Sequence, residues 1–265
     1  MSIEIKTIKN DCFEMRYFQF GTGEKTAVIL PGLSLISVMQ SAPGVASAYR
    51  QMQEEYTVYV FDRRENIPET YTIEEMGRDT AEAFDTLGIK NAYVFGASQG
   101  GMIAQSIALK RPELVKKLAL CSTVAKMTEE NSAILRRWVE LALQKNLPAL
   151  SKSILENVYS EAFVERYGSV LSEYFCGATE NDLERFAILA KGCEGFDVSA
   201  SLSSLASPAF VAGSTKDRIF QIGDFLLLAE KTNARLLVYG DYSHALYDEA
   251  PDFLEKLLRF FAENG

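Results

Sequence analysis

Short runs rich in β-branched and aromatic residues alternate with segments of helical periodicity, and this alternation constrains the fold more than any other feature of the chain. The first four runs are "TAVILPG" (26–32), "YTVYVFD" (56–62), "NAYVFGAS" (91–98) and "VKKLALCST" (115–123). Continuous apolar runs of this length are typical of strands buried on both faces, and helices between them supply the crossovers that parallel strands need. The sequence therefore predicts an α/β fold with a mostly parallel sheet.

The pattern changes at both ends and in the middle of the chain. Alternation over 3–20 predicts an antiparallel strand pair, whereas 124–205 loses the strand pattern and is helical in period. Strand runs return after it, and a last amphipathic helix is expected to open on Pro251. We expect one core domain formed by 1–123 and 206–265, with 124–205 inserted as a helical cap.

Composition excludes several classes of protein. The chain has 265 residues and carries 27 basic against 36 acidic side chains, a net charge of −9, with no tract rich in Lys or Arg. A nucleic-acid partner is therefore not expected. No apolar stretch reaches the roughly 18 residues that a spanning helix needs, and the start lacks a charged segment followed by the apolar core of a signal peptide. We expect a cytoplasmic protein with no membrane partner.

The cysteines and the single histidine argue against metals. Four cysteines are scattered without a Cys-x-x-Cys pair, which predicts reduced, buried thiols in an intracellular protein. One histidine leaves too few soft ligands for zinc. The stretches "GTGEKT" and "GASQGG" match neither phosphate-binding glycine pattern. The sequence predicts no metal and no cofactor.

A Gly-x-Ser-x-Gly motif, Gly96-Ala97-Ser98-Gln99-Gly100, overlaps the end of the run 91–98 and leads into a segment of helical period. So sharp a turn from strand to helix forces the serine backbone into a strained conformation, and the glycines remove the Cβ atoms that would clash. The turn lifts the serine Oγ clear of the sheet, next to the unpaired amides of the helix start. We therefore predict that Ser98 is a nucleophile.

A serine nucleophile needs a base and a group that orients the base. His244, in "GDYSHALYDEAPDF", is the only histidine and follows the predicted last strand. Asp217 ends the strand run in "VAGSTKD", and the order Ser98, Asp217, His244 is the one typical of this motif. Asp224 and Asp241 remain alternatives for the acid.

Two backbone amides are expected to form an oxyanion hole. The residue after the nucleophile, Gln99, supplies one amide, and the loop after the first parallel strand, "LPGLSL", supplies the other. Gly32 lets this loop turn tightly, so Leu33 is the expected second donor.

These residues together resemble the α/β-hydrolase superfamily, in its capped branch of esterases, lipases, haloperoxidase-like proteins and aminopeptidases. The resemblance rests on the "LPG" loop, "FDRR", "GASQGG", the helical insertion, Asp217 and His244. It implies an eight-stranded sheet, a lid formed by the insertion, and serine hydrolase chemistry without a cofactor. The chain departs from the family where Pro31-Gly32 replaces His-Gly and "FDRRENIPET" lacks the usual glycines.

The expected function is hydrolysis of a carboxylic ester or related small acyl substrate through an acyl-enzyme on Ser98. A serine at the elbow argues against the dehalogenase and epoxide-hydrolase relatives, which use aspartate there. Two alternatives remain open: a non-catalytic protein that binds a small ligand under the cap, and an acyltransferase. The sequence leaves the acyl chain and the oligomeric state open.

Overall fold

The structure is a computed structural model, and it describes residues 3–263. Eight strands form one sheet in the order β1-β2-β4-β3-β5-β6-β7-β8. The strands are β1 (Ile5–Lys9), β2 (Glu14–Phe20), β3 (Lys25–Leu30), β4 (Tyr56–Arg64), β5 (Ala92–Ala97), β6 (Val115–Cys121), β7 (Ala209–Ser214) and β8 (Arg235–Tyr239).

The sheet is antiparallel only at its first edge. β1 pairs with β2, and β2 with β4, in antiparallel register, whereas all pairs from β4 through β3 to β8 are parallel. Every residue of β5 and β7 is buried because helices cover both faces of the sheet. The predicted eight-stranded, mostly parallel α/β fold is confirmed.

Helices connect the parallel strands and cover both faces of the sheet. The sheet separates the core into two apolar clusters, one on each side. The α-helices are α1 (Ala42–Ala48), α2 (Ile73–Thr86), α3 (Gln99–Lys110), α4 (Glu129–Leu143), α5 (Leu147–Val158), α6 (Glu161–Cys176), α7 (Glu180–Lys191), α8 (Ile222–Thr232), α9 (Leu246–Glu249) and α10 (Phe253–Ala262). The last helix begins at Phe253 rather than at Pro251, which lies in the turn before it.

Helices α4 to α7 occupy the insertion between β6 and β7. The two ends of this segment are brought together by a bridge between Lys126 and Asp197 and by a hydrogen bond from the Met127 amide to the Phe196 carbonyl, 2.7 Å long. A segment that returns to its starting point in this way leaves the order of the sheet undisturbed. The division into a core and a cap stays a prediction.

The cysteines differ from the expectation in part. Cys121 and Cys193 are buried, but Cys12 and Cys176 are exposed, because Cys12 lies in the turn between β1 and β2 and Cys176 ends α6. Within residues 3–263, no helix combines the length and apolar character that crossing a membrane requires.

Candidate active site

Ser98 lies at the turn between β5 and α3 with φ of 50° and ψ of −120°. This strained turn can form because the flanking glycines have no Cβ atoms that would collide with the neighbouring backbone. A Cβ on Gly96 would lie 2.6 Å from the Gly100 carbonyl oxygen, and one on Gly100 would lie 1.9 Å from that of Leu30. The turn thus has the strained geometry and the need for glycine that the motif predicts.

Hydrogen bonds from the next strand hold the serine backbone in place. The Ser98 amide donates to the Cys121 carbonyl over 2.9 Å, and the Ser98 carbonyl accepts from Thr123 Oγ1 over 2.8 Å. Ser98 is therefore fixed by its backbone, while its half-buried side chain projects at the carboxyl edge of the sheet.

His244 and Asp217 form a buried pair at the same edge. His244 Nδ1 lies 2.8 Å from Asp217 Oδ2, and the two residues are 3% and 7% exposed. Asp217 Oδ1 accepts the amides of Ile219 and Phe220 at 2.8 and 3.0 Å, and Phe220 packs edge-on against the imidazole at 5.3 Å. A proton on Nδ1 facing the carboxylate leaves Nε2 free to accept one.

The two other aspartates considered as the acid are engaged elsewhere. Asp224 accepts the Gln221 amide at the start of α8 and a hydrogen bond from Asn131. Asp241 is exposed and lies 3.9 Å from Lys216 Nζ. The structure places Asp217, and neither alternative, against His244.

Ser98 and His244 line a small chamber of about 40 Å³, together with Leu33 and Gln99. Within residues 3–263, no hydrogen bond joins the side chains of Ser98 and His244. Four of the five residues predicted for the site line the chamber, and the fifth, Asp217, contacts the imidazole of His244.

A buried arginine braces the loop before Leu33, a role that the sequence interpretation missed. Arg63 Nη2 donates to the carbonyls of Pro31 and Gly32 at 2.6 and 3.3 Å and to Gln99 Oε1 at 2.8 Å. Burial lowers the pKa of Arg63 to about 10, which still leaves it charged at neutral pH. One cation therefore links the "LPG" loop to the residue that follows the nucleophile.

Residues of the inserted helices contact this arrangement. Gln99 Nε2 donates to the Leu189 carbonyl of α7 at 2.7 Å, and Arg185 of the same helix pairs with Asp62 at 3.0 Å. Trp138 of α4 and Val158 of α5 line the chamber. Trp138 is itself buried.

A larger cavity of about 450 Å³ adjoins the chamber and shares Gly32, Leu33, Trp138, Val158 and Tyr247 with it. The residues that line this cavity are mostly aliphatic and aromatic. The cavity is large enough to hold a moderately sized part of a small-molecule ligand. A separate cleft of about 520 Å³, bordered by Thr72, Ser106 and Asp197, contains none of Ser98, Asp217 or His244.

A strained serine at a strand–helix turn of an eight-stranded sheet, with a histidine–aspartate pair beside it, defines the α/β-hydrolase class of protein. The chain belongs to this family: the model for the alpha/beta hydrolase fold matches residues 28–251.

Relatives in sequence are hydrolases of small molecules by name. The chain is 30% identical over 207 residues to "Putative carbamate hydrolase RutD" of Rhizobium rhizogenes, covering 74% of this chain and 76% of that protein. It is 23% identical over 245 residues to 3-oxoadipate enol-lactonase 2 of Acinetobacter baylyi, covering 89% and 88%.

Solved structures share the whole architecture. An alpha/beta hydrolase from a Medee basin deep-sea metagenome library, MGS-M2, superposes with a TM-score of 0.88 at 24% identity and 98% coverage of both chains. The enol-lactonase from Burkholderia xenovorans gives a TM-score of 0.84 at 22% identity, covering 97% of this chain and 100% of that one. At these identities the likeness establishes the fold.

Proposed function

We propose that the protein is a serine hydrolase that cleaves a carboxylic ester or a related small acyl substrate through an acyl-enzyme on Ser98. The observation that carries this proposal is the hydrogen bond between Asp217 and His244 beside the strained Ser98, in one chamber. Relatives named for a carbamate and for an enol-lactone support it, because both substrates present a carbonyl attached to a heteroatom leaving group.

In the first half of the reaction, Ser98 Oγ attacks the carbonyl carbon while its proton passes to His244 Nε2. Asp217 holds the imidazole by Nδ1–H and stabilises the imidazolium that forms. The carbonyl oxygen becomes negatively charged and accepts hydrogen bonds from the amides of Leu33 and Gln99, each about 3 Å away. The intermediate then expels the alkoxide, which takes the proton from His244.

In the second half, water attacks the acyl-enzyme by the same route. His244 takes a proton from the water, the oxyanion forms again, and Ser98 Oγ leaves with the proton as the acid product is released. No step needs a metal ion or an organic cofactor. In this scheme residues 124–205 act as a cap that keeps bulk water away from the acyl-enzyme.

Active-site labelling tests the proposal directly. A fluorophosphonate should add to Ser98 and give a single mass increment, since its phosphorus accepts only an activated serine. Ser98→Ala should remain unlabelled while unfolding at the wild-type temperature, and Ser203→Ala, which alters an exposed serine outside the site, should label normally. His244→Ala should slow both labelling and ester turnover by about 10³-fold or more.

Folded wild-type protein that neither reacts with the probe nor hydrolyses short p-nitrophenyl esters would instead favour the ligand-binding alternative. Turnover that requires an alcohol acceptor in place of water would favour the acyltransferase.

A further inference from the structure

Asp248 is the only charged residue that lines the large apolar cavity, all of whose walls lie in the described part of the chain. Its carboxylate has neither a hydrogen bond nor an ion pair within residues 3–263. The cavity offers no lysine or arginine to balance it. The side chain is exposed, and a cation that entered the cavity would meet this carboxylate without a competing protein cation.

The adjacent Glu249 differs from Asp248, because its carboxylate has hydrogen-bond partners. Glu249 accepts the amide of Ser160 at 3.1 Å and also its hydroxyl, so it ties the start of α6 to α9. Its carboxylate is therefore used within the fold. Asp248, one residue earlier on the same short helix, is solvent-accessible within the cavity and has no such partner.

Aromatic rings line the same cavity as Asp248. Tyr49 and Phe95 pack with their centroids 6.0 Å apart, Tyr247 meets Phe95 edge-on at 6.3 Å, and Tyr159 lines the same space. Burial raises the pKa of Tyr49, Tyr159 and Tyr247, and the negative charge of Asp248 contributes to each shift.

We propose that Asp248 and the aromatic lining around it recognise a cationic group, an alkylammonium, on the substrate whose acyl carbon reacts at Ser98. Ring faces and a carboxylate both attract a cation, and an apolar cavity accommodates the alkyl groups around the nitrogen. The carboxylate of Asp248 would repel a substrate that carries a carboxylate in this cavity. The apolar surroundings, with a smaller contribution from Glu249, raise the pKa of Asp248 to about 7, and a bound cation would favour the ionised form.

The substrate assignment rests on the proposed hydrolase function, and its test uses isosteric pairs of esters. One pair is the choline ester of butyric acid and the ester in which carbon replaces nitrogen. The other pair places the trimethylammonium group, or its carbon isostere, at the end of a hexanoyl chain in a methyl ester. We expect the wild type to prefer the cationic member of at least one pair by about tenfold in kcat/KM, mainly through KM.

Asp248→Asn should abolish that preference, whereas Asp241→Asn, which removes an exposed charge outside the cavity, should keep it. Asp248→Leu, which matches the apolar lining, gives a second variant if the amide impairs folding. Equal rates for both members of both pairs in the wild type, or a preference that survives both Asp248 variants, would overturn the proposal.

A binding measurement separates this inference from the hydrolase proposal. In Ser98→Ala protein, hexyltrimethylammonium should bind about tenfold more tightly than in Ser98→Ala/Asp248→Asn when followed by calorimetry. If fluorophosphonate labelling fails but this difference persists, the hydrolase function is wrong and the cation site stands. If labelling succeeds and the two proteins bind the ion equally, the cation site is wrong and the hydrolase function stands.

Discussion

Asp248 and Glu249 are neighbouring residues whose carboxylates differ in their hydrogen-bond partners, and this difference affects their charge. Glu249 is compensated by the amide and hydroxyl of Ser160, while Asp248 faces an apolar cavity. The apolar surroundings of Asp248 raise its pKa to about 7, well above that of an aspartate in an unfolded chain. Such a residue makes the stability of the protein depend on pH.

The sign of that dependence follows from proton binding. Between the unfolded pKa near 4 and the folded value near 7, the native state holds a proton that the unfolded chain has released, so this residue's contribution to stability falls as pH rises. Asp248→Asn removes the effect. Its melting temperature relative to wild type should be higher at about pH 8 than at about pH 5, by on the order of a degree or two because water reaches the carboxylate.

Differential scanning fluorimetry of both proteins across this range checks the prediction, with Asp241→Asn as the charge control. A constant offset between variant and wild type at every pH would contradict it.

At the scale of elements, the approach of α3 to β3 determines whether the elbow can form. Gly100 lies in the first turn of α3, where a Cβ would lie 1.9 Å from the Leu30 carbonyl oxygen at the end of β3. Helix and strand are thus in contact through backbone atoms, with no side chain to adjust. The same contact sets the position of Ser98 relative to the "LPG" loop.

Gly100→Ala should therefore destabilise the protein by about 3 kcal/mol or more, since backbone must move to admit the methyl group. Gly44→Ala is the matched control, because a Cβ there meets nothing within 4 Å in α1. That exposed helical change should be neutral or stabilise by up to about 1 kcal/mol. Urea unfolding measures both, and equal unfolding midpoints would show that the close contact does not govern stability.

At the scale of the whole molecule, polar contacts join the inserted helices to the rest of the chain. One of them is the pair between Arg185 on α7 and Asp62 on β4, whose side chains are 15% and 5% exposed. Asp62 also accepts the Arg63 amide at 2.7 Å, so the link reaches the residue that braces the "LPG" loop. Loosening it should affect the insertion and the site together.

Arg185→Met should lower the free energy of unfolding by about 1–3 kcal/mol, because Asp62 stays buried with one charged donor fewer. It should also speed proteolysis within 124–205. Arg137→Met, which removes an exposed pair with Glu140 on α4, should change stability by no more than about 0.5 kcal/mol. If the two variants unfold alike and are cut alike, the Arg185 pair does not hold the insertion in place.

The sequence by itself determined the features that depend on neighbouring residues. Strand and helix periods reflect burial along each element, so they predicted the sheet and the helical insertion. The elbow could be predicted because its strain arises within five consecutive residues, and His244 because the chain has no second imidazole. Helix starts were less certain, as at Pro251, because the first turn depends on what it packs against.

Only the tertiary structure decided the features that depend on residues distant in sequence. It chose Asp217 over Asp224 and Asp241, since which carboxylate meets His244 depends on how two loops pack at the sheet edge. It also showed Arg63 beneath the "LPG" loop and Asp248 in the cavity. No local pattern marks either residue, because the environment of a charged side chain is created by the elements that fold around it.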